Sequence, residues 1–312
     1  MTMRDKNHCW MLILISLILT ATNIQNVFAT EPPYLSNIEI KASINFNAQS
    51  GLYSYQYSIK NSQDSTGNLV GLDIDISYPS GGGILSKEEL SIPYGKWSRT
   101  FKQSVPQYAK VTMIPVGMER PDKWIVGISV YGTAGWGGGD YVQLKPGQSL
   151  SGFGITSYGL PGIRNFKAES ALDADADYYP GWESVKGAAD ESKAIIEKIK
   201  ELEDKVNFKG KTVGPTAPPA VFNATTFLDY IINLKHQAAS LGWISNSGIV
   251  NSLDVKLDNA KKKLSQGDNS TAKNILNAFI NDVEAQAGKH LTSEAYALLK
   301  YNALYLIDNM TK

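Results

Sequence analysis

The sequence is poor in the residues that build metal sites and covalent nucleophiles. It has 312 residues but one cysteine, Cys9, and three histidines. Cys9 precedes an apolar N-terminal stretch that we expect to be cleaved off, which would leave no disulfide, no thiolate nucleophile and no cysteine metal site. His236 and His290 would then be the remaining histidines, too few for a zinc site of the usual kind.

The sequence also lacks an excess of either charge. Its 30 basic and 30 acidic residues give a formal net charge of zero. Nucleic-acid binders carry a basic surplus that neutralises phosphates, so the balance argues against that class. Hydrophobic residues make up 43% of the chain and charged residues 19%, which is typical of folded cores and excludes general disorder.

Short catalytic motifs are missing as well. The "GKT" at 210–212 lacks the earlier glycine of a phosphate-binding loop, because Lys205 stands there. We find no G-x-S-x-G turn and no H-E-x-x-H helix. A pair of carboxylates for glycoside hydrolysis depends on spatial neighbours, so the sequence leaves it open. The motifs therefore predict a protein that is not an enzyme.

The N-terminus has the pattern of a secretion signal. Arg4 and Lys6 precede the apolar run "WMLILISLILTA", and Val27 and Ala29 occupy the small-residue cleavage positions. We expect removal of residues 1–29 and a secreted or cell-surface protein of a prokaryote, with an uncleaved anchor as the alternative. No later stretch has transmembrane length, so we expect no transmembrane segment in the mature chain.

Residues 30–160 show the period-two alternation of antiparallel strands. "NIEIKASINF", "LYSYQYSIKN" and "LVGLDIDISYP" each place apolar residues on one face and polar ones on the other. "YPSGGG" and "GWGGGD" have turn composition, and we interpret them as loops. Eight or nine such strands would form an antiparallel β-sandwich.

Residues 161–222 look like a connector with one amphipathic helix. In "ESVKGAADESKAIIEKIKELEDKV", Ile195, Ile199 and Leu202 follow helical spacing. The later "KGKTVGPTAPPA" contains prolines and glycines that do not fit one helix or a central strand.

Residues 223–312 are predicted to form four helices with short loops, hence a four-helix bundle. Their apolar stripes repeat at steps of three and four residues. Gly267 and Gly288 follow two of these stripes, where a left-handed glycine commonly ends a helix.

The sequences "GWISN", "SLDVKLDNAKKKL" and "NILNAFINDVEAQAGK" resemble the FIMAH domain over about residues 225–310. Such domains are appended to exported prokaryotic proteins and have no assigned catalytic residues, so the resemblance implies an accessory role. The N-terminal region resembles Ig-like modules through "YSYQYSIKN" and "LKPGQSLSGFGITS". The predicted class is thus multidomain, all-β plus all-α, with an Ig-like β-sandwich, a helical linker and a four-helix bundle.

Aromatic residues are the main candidates for ligand binding. Exposed rings can stack on sugars, although core packing is the commoner fate of such residues. Trp136 lies between glycines, so we expect it to be exposed. The candidates are Trp97, Trp124, Tyr131, Trp136 and Tyr141.

An acidic run offers the one metal candidate. Asp173, Asp175 and Asp177 have the one-three-five spacing of a calcium loop. Tyr178 and Ser184 stand where an EF-hand needs glycine and glutamate. A solvated acidic linker is therefore favoured, with calcium as the alternative, and no other cofactor is expected.

Both remaining histidines fit structural positions on predicted helices. His290 follows a helix end, where a polar or cationic side chain complements the last carbonyl groups. His236 is expected to be a polar position beside an apolar stripe. Asn223, Asn269 and Asn309 lie in N-x-S/T sequons, which matter only if the source glycosylates exported proteins.

Three functional hypotheses remain. The first is an exported, non-catalytic binding protein of the cell surface with an accessory helical module, whose partner would be an extracellular glycan or a surface protein. The second makes the sandwich a carbohydrate-binding module that uses its aromatic residues. The third is a divergent secreted hydrolase with a carboxylate pair.

Overall fold

The structure is a computed structural model. Its backbone is described, with side chains except at 109–112, 125–128 and 189–192, for residues 31–76, 109–112, 125–128, 133–137, 143–173, 176, 178 and 189–310. The chain divides into two compact units. One holds residues 33–171 and 203–312, and the other includes 172–202.

Nine strands are seen in the described part of the chain. They are β1 (Ile38–Asn47), β2 (Leu52–Asn61), β3 (Leu69–Asp75), β4 (Ala109–Thr112), β5 (Ile125–Ile128), β6 (Thr133–Gly137), β7 (Ser149–Ser157), β8 (Leu160–Ser170) and β9 (Phe208–Thr216). They form two antiparallel sheets, ordered β1-β2-β7-β4 and β5-β6-β3-β8-β9.

The four-stranded sheet follows the predicted alternation. In β2, Tyr53, Tyr55 and Tyr57 are buried, while Ser54, Gln56 and Ser58 lie on the other face with more exposure. The hydroxyl groups of Tyr55 and Tyr57 donate to backbone carbonyl oxygens outside the four-stranded sheet. That of Tyr57 donates to the carbonyl oxygen of Val213 in β9 at 3.0 Å. The sheets are therefore tied to each other by polar contacts as well as by apolar packing.

The five-stranded sheet corrects the predicted connector over 161–222. That stretch contributes most of β8 and all of β9, which pair in register from Leu160–Thr216 to Ala168–Phe208. Pro215 is accommodated because β9 is an edge strand, where a missing N–H leaves no ladder bond unmade. Gly210 is required by packing, since a Cβ there would stand 2.5 Å from the Phe166 ring.

Five helices lie in the C-terminal half of the described chain: α1 (Ala189–Val206), α2 (Ala224–Ser240), α3 (Ser247–Ser265), α4 (Asn269–Gln286) and α5 (Ser293–Met310). The predicted helix of the connector is confirmed as α1. The four predicted C-terminal helices are confirmed as α2–α5, called the helical module (residues 224–310) below.

Side-chain caps and left-handed glycines set the limits of these helices. The Asn223 and Asp268 side chains accept the backbone N–H of Thr226 and Thr271 at the starts of α2 and α4. The hydrogen bonds with Thr271 lower the pKa of Asp268. Gly267 and Gly288 have φ values of 74° and 70°, which confirms their predicted place after α3 and α4.

The helical module packs directly on the sheets. Helix α5 contacts β1, β8 and β9, and its Asn302 side-chain amide donates to the carbonyl oxygen of Pro161 at 2.8 Å. Buried apolar residues of the sheets and of the module belong to one continuous core. The module is therefore part of the same compact unit as the sheets.

Candidate functional site

The expectation that Trp136 is exposed is wrong. Its side chain retains 2% of its accessible surface and packs against Tyr57 and Phe153 of the other sheet, with ring centroids at 6.3 and 5.7 Å. The reason is that "TAGWG" is strand β6 rather than part of a loop, and Trp136 is paired with the buried Leu72. Its glycine neighbours lie on the opposite face of the strand, so they open no space around the indole.

The remaining aromatic candidates lie outside the described residues: Trp97, Trp124, Tyr131 and Tyr141. The sugar-stacking hypothesis therefore loses the residue on which it most depended, and those four positions stay predictions.

The structure describes one of the three aspartates that were proposed to bind calcium. Asp173 is exposed after the end of β8, and its backbone N–H donates to the Tyr178 hydroxyl at 3.0 Å. Asp175 and Asp177 lie outside the described residues. Within the described part of the chain, no three acidic, histidine or cysteine side chains are grouped as metal ligands.

The histidines lie in helical surroundings. His236 Nε2 is 3.8 Å from Asp254 Oδ1, beside the buried Lys235, whose ammonium contacts the same carboxylate. Lys235 thus joins α2 to α3 through a buried charge. The backbone carbonyl of His290 accepts the N–H of Ser245 at 2.9 Å, so the residue after α4 joins two loops of the module.

The outer face of the five-stranded sheet carries a charged cluster beside glycines of β3 and β6. Asp73 of β3 is paired with Lys167 of β8 on one side and with Gly135 of β6 on the other. One step along, Gly71 is paired with Glu169 and with Gly137. We call these six residues the charged outer face. Because side chains alternate along a strand, all six lie opposite Trp136 and the core.

Lys167 lies between the two carboxylates of this face. Its ammonium is 2.5 Å from Glu169 Oε1 and 3.8 Å from Asp73 Oδ2. The Glu169 side chain leans over Gly71, where a Cβ would stand 2.5 Å from Oε2. Glycine at position 71 is therefore what lets this carboxylate lie flat against the sheet.

Asp73 has an unusual proton affinity for an aspartate. Burial and the nearby Glu169 charge raise its pKa from 3.8 to about 6, although Lys167 acts in the opposite direction. About 31% of the side chain remains exposed. Near neutral pH the group can therefore change between acceptor and donor while still reaching solvent.

A buried arginine fixes the end of β3 next to this face. Arg164 Nε donates to the backbone carbonyl of Asp75 at 2.7 Å, and its terminal nitrogen contacts Asp75 Oδ1 at 3.2 Å. A charged group bonded to both backbone and side chain restricts the strand end. Asp73 lies two residues earlier, on a strand that is paired on both sides and held at its end by Arg164.

Sequence reasoning placed Asp73 on the polar face of its strand but missed Lys167 and Glu169. Both fall in the stretch that was assigned to the connector. The signal was present in "NFKAES", where buried Phe166 and Ala168 alternate with Lys167 and Glu169. A test for period-two alternation beyond residue 160 would have found the strand.

The fold defines this protein as two packed antiparallel sheets continued by a helical module. The comparison with known families agrees for the module: residues 228–308 match the FIMAH domain. This match lies within α2–α5 and confirms the resemblance inferred from the sequence. No curated protein matches the chain. Among the helices of the described residues, none is both long and apolar enough to cross a membrane.

Proposed function

We propose that the protein is exported and acts as a non-catalytic, surface-associated binding protein, with the charged outer face as its ligand site and the helical module as an accessory. The observation that carries the proposal is Asp73, a carboxyl group whose pKa is raised to about 6 on a partly exposed strand face. A group kept ionised at an energetic disadvantage is more often found at functional sites than elsewhere. The N-terminal signal pattern supports export.

The proposed architecture is an Ig-like sandwich followed by a four-helix bundle. Two sheets that share buried Tyr57, Trp136 and Phe153 support the sandwich. Short loops between the four helices of the module support the bundle. In such sandwiches, ligands bind on faces and loops, while the core provides rigidity.

The chemistry of the charged outer face suits a hydroxyl-rich ligand, so a glycan is the proposed ligand class. Two carboxylates and one ammonium provide acceptors and donors at one place. Gly135 and Gly137 beside them have no side chain that would stand between a ring and the sheet. This form of the carbohydrate hypothesis depends on polar groups and on the glycines beside them, and no longer on Trp136.

A hydrolase is the less favoured hypothesis. It would need one carboxyl group as proton donor and a second that is free to act as base or nucleophile. Asp73 has a suitable pKa, but Glu169 is held by the Lys167 ammonium at 2.5 Å. That contact neutralises the second carboxylate, and binding is therefore the function we propose.

Glycan-array screening of the secreted protein tests this proposal. We expect binding of a neutral or cationic glycan that is lost or weakened at least about tenfold in Asp73→Asn, which corresponds to loss of one hydrogen bond to a charged group. Asp64→Asn is the matched control, because Asp64 is exposed in the turn after β2. Undiminished binding by Asp73→Asn, or equal loss in both variants, would remove this face as the site.

A further inference from the structure

Side chains of the helical module contact the outer edge of β1. Strand β1 is terminal in its sheet and is ten residues long. The backbone N–H of Ala42 donates to Glu294 Oε1 at 2.6 Å, and the carbonyl oxygen of Ile44 accepts the Tyr301 hydroxyl at 3.2 Å. Both helix residues belong to α5, so one helix serves an outward-facing donor and an outward-facing acceptor of the same edge.

These two hydrogen bonds are formed by buried residues, so each donor and acceptor needs its particular partner. Ala42 and Ile44 retain 0% and 4% of their accessible surface, and Glu294 retains 5%. A buried N–H or carboxylate without a partner would be strongly unfavourable. The helix therefore has to present an acceptor and a donor at positions that match the strand, as a neighbouring strand would.

The same helix also reaches the second sheet. Asn302 donates to the carbonyl oxygen of Pro161 in β8, whose register partner is Pro215 in the edge strand β9. The Tyr301 ring packs edge-on against Tyr53 of β2, with centroids 5.4 Å apart. Helix α5 is thus anchored on both sheets at the side where β1 and β9 approach each other.

An open strand of this length would invite pairing. Uncovered edge strands present rows of N–H and C=O groups that can pair with another chain. Two identical edges can pair antiparallel about a twofold axis, which makes a second copy of this chain the natural partner. Glu39 and Lys41 on β1 form an ion pair with each other at 3.0 Å, so together they present no net charge that would repel a second copy.

We infer that helix α5 is an edge-recognition surface that takes the place of a neighbouring strand on β1 and thereby prevents β1 from pairing with a second copy of the chain. The helical module would then protect the edge strand of the same chain. The inference does not depend on a ligand at the charged outer face.

The test compares two double variants of the full chain. Glu294→Ala with Tyr301→Phe removes both contacts to the β1 backbone. Glu284→Ala with Tyr305→Phe is the matched control, because Glu284 pairs with Lys300, and the Tyr305 ring packs edge-on against Phe222 and at a tilt against Phe227. Hydrogen exchange of the Ala42 amide and sedimentation over a range of protein concentrations are measured for both.

We expect amide exchange at Ala42 to accelerate at least about tenfold in the first variant, since a hydrogen bond to a charged group is lost. We also expect concentration-dependent dimers in that variant and monomers in the control. Unchanged exchange at Ala42, or faster exchange without association, would overturn the inference. If the double variant fails to fold, Tyr301→Phe alone loses one hydroxyl group, and it should associate more than Tyr305→Phe does.

Discussion

Replacing Asp73 by asparagine should stabilise the protein at neutral pH and leave it nearly unchanged in acid. Burial and Glu169 raise the pKa of Asp73 from 3.8 to about 6 in the folded state. The folded chain therefore binds the proton more tightly than the unfolded chain does. The stability contributed by this proton is fully present below pH 3.8 and is lost as the pH rises through about 6. Asparagine does not titrate, so the variant should avoid that loss.

The size of the effect follows from the same shift. At about 1.4 kcal/mol per pH unit, the rise in pKa corresponds to at most about 3 kcal/mol. Nearly a third of the side chain is exposed, at 31%, and solvent screening reduces the value to about 1–2 kcal/mol. Lys167 keeps its contact with Glu169 in the variant, so no cation is left without a partner.

The assay is urea denaturation followed by tryptophan fluorescence between pH 4 and pH 7. We expect the difference in unfolding free energy between Asp73→Asn and wild type to grow from near zero to about 1–2 kcal/mol over that range. Asp64→Asn serves as a control for the removal of one negative charge. The reasoning is refuted if Asp73→Asn is less stable than wild type at pH 7, or if the difference does not vary with pH.

Three further substitutions test the packing by the same denaturation assay. Trp136→Ala should destabilise the fold by about 3–5 kcal/mol, because its indole is buried. Tyr158 is 55% exposed, so Tyr158→Ala should lie within about 0.5 kcal/mol of wild type. Equal effects of the two substitutions would contradict the burial of Trp136. Asp254→Ala should lower the unfolding free energy by about 3 kcal/mol, because it leaves the fully buried Lys235 without its carboxylate. Lys235→Met should cost less, and the reverse order would count against a buried ion pair. Gly267→Ala should cost about 1 kcal/mol, since φ is 74° there, and a neutral result would show that the left-handed cap is not needed.

The regular elements could be predicted from local patterns. Tyr53, Tyr55 and Tyr57 alternate with polar residues, and the sequence expectation of a strand with one buried face is confirmed. The four helices of the module are confirmed for the same reason, since their apolar residues repeat at helical spacing. These patterns are local, and local periodicity survives in one sequence without knowledge of the partners.

The elements that depend on neighbours could not be predicted so well. "TAGWG" and "KGKTVGPT" look like loops because of their glycines and proline, yet both are strands. In β6 the glycines lie on the outer face, and in β9 the proline is tolerated at an edge. The cluster of Asp73 with Lys167 and Glu169 was missed in consequence, since it joins residues about 95 positions apart through strand pairing alone.

The most direct test of the charged outer face is the titration of Asp73 itself. The carboxyl carbon of Asp73 can be followed by nuclear magnetic resonance in labelled protein, with Asp64 as an internal reference. The structure predicts a midpoint of about 6 for Asp73 and a clear fall in that midpoint when a bound ligand donates hydrogen bonds to the ionised carboxylate. A midpoint near 3.8, the ordinary value for aspartate, would contradict the claim that this carboxyl group is held in a functional site.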